Sequence, residues 1–531
     1  MTLQELRRRT VSIRELTGWR RYLAAAGFGA LLATAFAPLR LFPVLFIALP
    51  GLALLLEGAL TQERPRRAAF LTGTAFGTLF FTLSISWVAN AFLVQADEFG
   101  WMIPFVLPPL FIFLGAFFGA AAIFHAELRL RLSLTGPASL LPLTIGLTGA
   151  DFLRGHILTG FPWNALAQST AAHDWLLQPL SIVGPYAYGG VLTLLALMPA
   201  AVVLYPGHAK RFAIGGGSAL VLILAYGAVK SGEVPRRDDV RVAVVQPNLA
   251  QRDKLDPQKR LTSLRQSLEM TTRAAEEAPN VQTYAIWPEN AFPFLEEVSD
   301  FPLILTARLP ADTLVVSGTI REIGDDGYGN SLQVFGPAGE GGGLAASYDK
   351  HRLVPFAETL PFYSVFEALG IESLSPAGGG GFTAGPGLAR IEVGQAPFSP
   401  LICYEDIFPG RLYPKGERPD WLVIVTNDGW FGDDAGPKQH LDIARMRAVE
   451  TGLPIARSAN TGISALIGPR GEVLYRLPLY EPGVITAALP EALPPTLYMR
   501  VGEIGLVLFL TIIAVPVVTQ GRKHVSPVQQ G

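Results

Sequence analysis

The sequence is poor in the residues that staple secreted folds or grip polyanions. Of 531 residues one is a cysteine, Cys403. An intrachain disulfide is excluded, and so is any zinc site that needs two thiolates. The seven histidines are scattered without ligand spacing, so no metal and no other cofactor is expected. Charged residues make up 16% of the chain, against about 25% in an ordinary soluble domain. The net charge is −2 and no long Lys/Arg tract occurs, which removes the electrostatic basis for binding nucleic acid. There is no P-loop, no dinucleotide fingerprint after a strand, no HExxH, no GxSxG and no repeat of 20–50 residues.

What is abundant is apolar: half the chain is hydrophobic. Apolar runs fill the first 230 residues, at 22–38, 42–60, 68–94, 101–124, 136–153, 186–206 and 212–229, and one more lies at 502–519. A helix needs about 20 apolar residues to cross a hydrocarbon core of roughly 30 Å. The expectation is a polytopic α-helical membrane domain of eight spans, seven in residues 1–230 and the eighth in 492–531. No small-residue cleavage site follows the basic N-terminal arm, so no cleaved signal peptide is expected. Alternate short loops and the two terminal arms carry fifteen Lys and Arg, while the opposite short loops hold two, Arg40 and Arg154. Positive-inside bias then puts both termini in the cytoplasm and residues 231–491 on the far side.

Residues 231–491 read differently. Strands are expected at 241–246, 284–287, 313–318, 331–335, 401–404, 421–426 and 463–467. Helices are expected at 258–277 and 437–452, the second ending at Gly452 before Pro454. Many strands with covering helices point to an α/β layered domain.

Three residues at expected strand ends could carry chemistry. Cys403 stands where an apolar strand gives way to Tyr404-Glu405-Asp406; a packed core thiol is the alternative. Glu289 follows a strand in Trp287-Pro288-Glu289-Asn290, where a turn carboxylate is the bland reading. Lys350 lies in Asp349-Lys350-His351-Arg352-Leu353-Val354-Pro355-Phe356-Ala357-Glu358, where a solvated loop cation is the default.

Taken together, these segments resemble the Glu–Lys–Cys signature of the nitrilase superfamily. The fused membrane spans narrow the resemblance to the apolipoprotein N-acyltransferases, which complete bacterial lipoprotein maturation. Thr159-Gly160-Phe161-Pro162-Trp163, Thr426-Asn427-Asp428-Gly429-Trp430-Phe431 and Arg457-Ser458-Ala459-Asn460-Thr461-Gly462 resemble that family too. The resemblance implies a nitrilase-like αββα sandwich with Glu289 as base, Lys350 as oxyanion stabiliser and Cys403 as nucleophile. Glu358, Tyr404 and Glu405 match further positions that the family needs. Leu255 stands where the family commonly has Trp.

Residue chemistry agrees with these roles. Moving a proton from a thiol of pKa about 8.5 to a carboxylate of about 4.3 is uphill by roughly 4 units. Burial of Glu289 and the nearness of Lys350 are expected to narrow that gap. The expected reaction is a ping-pong transfer of a fatty acyl chain. It passes from a phospholipid to Cys403, and then to the α-amine of a diacylglyceryl-apolipoprotein. The expected place is the bacterial inner membrane, with the catalytic domain periplasmic and the protein a monomer. Phe161, Trp163, Asn427 and Trp430 are candidates for substrate contact, and the segment 360–366 for insertion into the interface. A membrane-tethered amidase acting on a small amide is the enzymatic alternative, and a transporter with an exported binding domain the non-enzymatic one.

Overall fold

Two units divide the chain: Met1–Ser231 with Leu497–Gly531, and Gly232–Thr496. They are seen in a computed structural model that describes residues 12–292, 305, 307, 309–324, 327–336, 343–359 and 381–524.

The first unit is helical. Among the described residues, five stretches are long and apolar enough to cross a bilayer: Phe42–Ala59, Ala96–Arg131, Leu180–Leu204, Pro206–Lys230 and Ile504–Gly521. Pro65–Ser84 with Ser86–Leu93 makes a sixth, bent by 56°. The runs expected at 22–38 and 136–153 form shorter helices, Gly18–Ala33 of 16 residues and Leu141–Arg154 of 14. At 1.5 Å per residue these reach about 24 and 21 Å, less than the hydrocarbon thickness. The second is delayed by Gly136, at φ 62°, and the tight turn Pro137–Leu140.

Helices Pro65–Ser84 and Ile103–Arg131 meet through glycines four apart on each. A Cβ on Gly77 would stand 2.8 Å from the Gly115 Cα, and one on Gly115 2.5 Å from the Thr78 nitrogen. One turn away, a Cβ on Gly119 would stand 2.3 Å from the Thr74 hydroxyl. Small residues let the backbones approach where lipid supplies no hydrophobic drive. Glu57 and Glu503 sit near helix ends and are partnered. Arg129 donates to both oxygens of Glu57, at 2.6 and 3.2 Å, and Tyr498 donates to Glu503 at 2.7 Å.

The second unit holds eleven strands among its described residues. They are β1 Arg236–Gln246, β2 Gln282–Phe292, β3 Thr313–Ile323, β4 Gly327–Phe335, β5 Leu344–Asp349, β6 Phe398–Ile402, β7 Trp421–Thr426, β8 Ile455–Ala459, β9 Ala465–Ile467, β10 Val473–Arg476 and β11 Gly483–Pro490. One sheet runs β11-β1-β2-β3-β4-β5 and the other β10-β9-β8-β7-β6. Each contains a parallel run, β1-β2-β3 within the first and β6-β7-β8 from the edge of the second. Side-chain alternation builds the layers. Val240, Val242 and Val244 of β1 enter one core with Trp421, Val423 and Val425 of the opposing sheet. Ala243 and Val245 point the other way, into a core with Leu264 and Ala274 of the helix Pro257–Glu276. Burial on both faces explains the continuous apolar runs. The helix Gly436–Thr451 is buried at all but Lys438 and ends at Gly452, φ 68°, as its sequence indicates. The segment 360–366 lies outside the described residues.

Overpacking a close contact costs about 1–3 kcal/mol. Gly115→Leu should therefore lower the thermal midpoint of the detergent-solubilised protein by several degrees, read by tryptophan fluorescence. Gly149→Leu, where a Cβ meets nothing within 4 Å, should leave the midpoint unchanged or higher.

Candidate active site

The parallel strands deliver polar residues at their carboxyl ends, where α/β sheets commonly bind ligands. Glu289 occupies a bulge in β2. Pairing with β3 runs to Trp287↔Ser317 and resumes only at Phe292↔Thr319. Asn290 in the bulge has φ 50°. Such bulges re-aim a side chain. Opposite it, a Cβ on Gly318 would lie 2.5 Å from the Glu289 Cα, so glycine there permits the bulge. Lys350 follows β5, its N–H still donating to the Asn330 carbonyl at 2.8 Å. Cys403 follows β6 at φ 48°, a left-handed elbow that only glycine adopts freely.

Lys350 is fully buried. Its Nζ donates to Glu358 Oε1 at 2.8 Å and lies 3.6 Å from Glu289 Oε1. Between the two carboxylates, Asn330 Nδ2 donates to Glu289 Oε1 and to Glu358 Oε1, both at 2.8 Å. The backbone of Val354 donates to Glu358 Oε2 at 2.8 Å. Burial opposes charge on Lys350, but Glu358 and Glu289 reverse it and hold the ammonium above the ordinary lysine range. The Cys403 thiol moves upward too. Burial is the main cause, and Glu289 adds to it; Lys350 pulls down, as its nearness suggests, without offsetting them. Cys403 thus rests as a thiol.

Glu405 joins the two sheets. Its Oε1 accepts from the Tyr348 hydroxyl and the His351 amide, both at 2.8 Å, and its Oε2 from the Ile402 amide at 2.8 Å. One carboxylate therefore fixes the Lys350 segment against the Cys403 elbow. Tyr404 packs edge-on against Phe408, at 5.2 Å between centroids, and Arg352 stacks 4.1 Å over the same Phe408 ring. Asn427 is buried and ties loops together, donating to Gln251 Oε1 at 2.6 Å and accepting from Asn460 at 3.2 Å. Trp430 is half-buried. In the helical unit, Trp163 is 2% exposed and packs on Trp87, while Phe161 is half-buried. The buried Arg154 holds both, donating to the Phe161 and Trp163 carbonyls at 2.6 and 2.7 Å.

Two features escaped the sequence. Asn330 looks like any strand residue, and only β4–β5 pairing sets it between the carboxylates. The other is a buried cluster behind the elbow. His440 sits between Asp406 Oδ1, 2.8 Å from Nε2, and Asp428 Oδ1, 2.9 Å from Nδ1. Arg457 donates to Asp428 Oδ2 at 2.6 Å. Carboxylates only accept, so both imidazole nitrogens carry protons and two cations balance two anions. Burial works against the His440 charge, but Asp406 and Asp428 raise it to about 9. Burial works against the Asp428 charge too, but Arg457 and His440 bring it down to about 2. The signal was present as Asp428, His440 and Arg457, separated by 12 and 17 residues with nothing local to join them.

Two outcomes follow from this geometry. A left-handed non-glycine residue costs about 1–2 kcal/mol, so Cys403→Gly should melt a few degrees above Cys403→Ala. His440 is raised from 6.5 to about 9 on folding. Its contribution is complete below pH 6.5 and is lost as pH rises through 9. At about 1.4 kcal/mol per unit, stability measured by denaturant titration should fall by about 3 kcal/mol over that window. His440→Gln should flatten the profile.

Comparison with known proteins agrees along the whole chain. Residues 28–223 match the apolipoprotein N-acyltransferase N-terminal domain, and residues 241–493 match carbon–nitrogen hydrolase. The chain is 38% identical over 541 residues to the apolipoprotein N-acyltransferase of Bradyrhizobium diazoefficiens, covering 98% of both chains. It is 36% identical over 527 residues to that of Rhodopseudomonas palustris, covering 95% of this chain and 96% of that one. With that of Brucella suis the identity is 34% over 520 residues, covering 94% and 96%. From its helical unit to its hydrolase-like sandwich, the chain belongs to the apolipoprotein N-acyltransferase family, enzymes of the carbon–nitrogen hydrolase superfamily.

Proposed function

We propose that the protein moves a fatty acyl chain from a phospholipid to the α-amine of a diacylglyceryl-apolipoprotein through a thioester on Cys403. The observation that carries this reading is Lys350, a fully buried ammonium between two carboxylates and electrostatically coupled to Cys403. A desolvated fixed cation is what an acyl-transfer oxyanion requires.

In the first half-reaction the Cys403 thiol gives its proton to Glu289 as sulfur bonds to the ester carbonyl carbon. Lys350, with the Tyr404 backbone N–H, takes the charge that develops on oxygen. The carbon–oxygen bond breaks, Glu289 returns the proton to the leaving oxygen, and lysophospholipid departs. In the second, the neutral amine attacks the thioester. Glu289 accepts a proton from nitrogen, the carbon–sulfur bond breaks, and the proton returns to sulfur. The last step, from thioester to amide, is downhill and draws the transfer forward, so no nucleotide is needed. Glu358 and Asn330 keep Lys350 charged and Glu289 aimed, and Glu405 keeps the two halves in register. Phe161 is the lipid contact and Trp163 its brace, while Trp430 flanks the acyl chain and Asn427 holds its loop.

Both substrates are lipids, which gives the apolar unit its purpose. It crosses the bacterial inner membrane eight times, with Gly18–Ala33 and Leu141–Arg154 as its two short spans. Both termini are cytoplasmic, the sandwich is periplasmic, and one protomer suffices.

Incubation with phospholipid vesicles and no acceptor should add one fatty acyl mass to the intact protein. The adduct should be removed by hydroxylamine, be absent in Cys403→Ala, and discharge onto a diacylated lipopeptide. Rapid turnover of water-soluble amides with no adduct would instead point to an amidase.

A further inference from the structure

A second ammonium stands beside Glu289. Lys254 lies in the turn Gln251–Leu255, between β1 and the helix Pro257–Glu276. Two asparagines fasten this segment to the loops after β7 and β8. Asn460 accepts from the Leu249 amide at 2.9 Å and donates to the Leu249 carbonyl at 2.6 Å, and Asn427 donates to Gln251 at 2.6 Å. Lys254 Nζ then reaches the bulge of β2, where it donates to the Glu289 carbonyl at 3.4 Å. Glu289 therefore spans two ammoniums, with Lys350 at its carboxylate and Lys254 at its main chain.

Lys254 is half-buried, yet among the described residues no carboxylate lies within ion-pair distance of its nitrogen. The acids beside it in sequence are committed elsewhere. Asp253 pairs with Lys259 at 2.6 Å, and Asp256 accepts from the amides of Gln258 and Lys259 at the helix start. An ammonium has three protons to donate, and the one polar contact printed on Lys254 is with a neutral carbonyl. Burial pulls the ammonium down to about 8, and Glu289 only partly restores it. A cation drawn out of water without a counter-anion is stabilised by an anion that binds beside it.

The proposed reactants supply one such anion. A phospholipid carries its phosphodiester one glycerol away from the ester carbonyl, whereas the diacylglyceryl-cysteine of the acceptor has no phosphate. Glu289 and Glu358 repel a phosphate, and Lys350 is already engaged with both carboxylates. We propose that Lys254 is a substrate-binding residue that takes the phosphodiester of the acyl donor and so selects a phospholipid over an uncharged acyl ester. Lys350 then answers the charge that the reaction develops, and Lys254 the charge that the donor brings with it. The phosphate departs with the lysophospholipid, so Lys254 serves the first half-reaction alone.

This role rests on the reading of Cys403 as the acyl-accepting thiol. Thioester formation by the full-length protein is followed by intact mass, with phosphatidylethanolamine or the uncharged p-nitrophenyl palmitate as donor. Lys254→Gln should lower the efficiency of acylation by the phospholipid about ten- to a hundredfold, as loss of a hydrogen bond to a charged group does, and leave that by the p-nitrophenyl ester within about twofold. Discharge of the thioester onto a diacylated lipopeptide should be unaltered. Lys254→Arg should keep the preference for phospholipid. So should Arg252→Gln, in the same turn with a side chain 83% exposed. Equal losses with the two donors would mean that Lys254 only braces the Glu289 bulge, and that result, like an unaltered preference, overturns the proposal. A second measurement needs neither a variant nor turnover. A diether phospholipid keeps the phosphodiester and has no ester to cleave. It should slow acetylation of Lys254 by acetic anhydride in the unaltered protein, read by peptide mass, whereas the matching dialkylglycerol should not. Equal protection by the two, or none, overturns the proposal whether or not a thioester forms. A missing thioester alone would sink only the acyl-transfer reading.

Discussion

An ammonium without access to water is the constraint around which the sandwich is arranged. Lys350 is fully buried, and an unpaired charge in that position would cost several kcal/mol even after relaxation. Glu358 offsets the cost at 2.8 Å and Glu289 contributes from 3.6 Å. The carboxylates would repel each other if they were not tied, and Asn330 ties them by donating one proton to each. β2, β4, β5 and the turn after β5 must all be in register before any one of these groups is satisfied. The geometry of the Glu289–Lys350–Glu358 cluster and the stability of this region are therefore one requirement.

The same economy recurs around the thiol. Cys403 stands between a positive centre that belongs to the first sheet and a balanced cluster that belongs to the second. Glu405 spans them, with donors from the Lys350 segment on one oxygen and the Ile402 amide on the other. The elbow's left-handed backbone is sustained by this framework, as strained residues at reactive centres generally are.

Much of this was legible in the sequence, for physical reasons. The two expected helices of the sandwich differ from those observed by one residue at each end, because Asp256-Pro257 and Gly452 are direct start and stop signals. Glu289 and Cys403 stood out because each ends an apolar run, and Lys350 because of the recognisable segment Asp349-Lys350-His351-Arg352 in which it lies. β8 was hidden by Arg457 and Ser458 in its middle, charged and polar residues whose partners lie elsewhere in the chain. β6 begins before its expected start because Pro400 interrupts the pattern, and proline is tolerated there since β6 is an edge strand. β5, half-exposed and alanine-rich, carries too little apolar signal to be read alone. Composition located the membrane unit but not the helix lengths at 22–38 and 136–153, which local turns set. Asn330 and the His440 cluster could not be read at all, since nothing in a linear sequence joins residues so far apart.

The enclosure of Lys350 also bears on the order in which the chain folds. Strand pairing can begin locally, between β3 and β4 or β4 and β5. The ammonium cannot be paired out of water until Glu289, from a strand three positions away across the sheet, has arrived with Glu358. Dehydration of that charge is therefore tied to the joining of distant parts of the chain, and no single hairpin of the sheet can bury it alone.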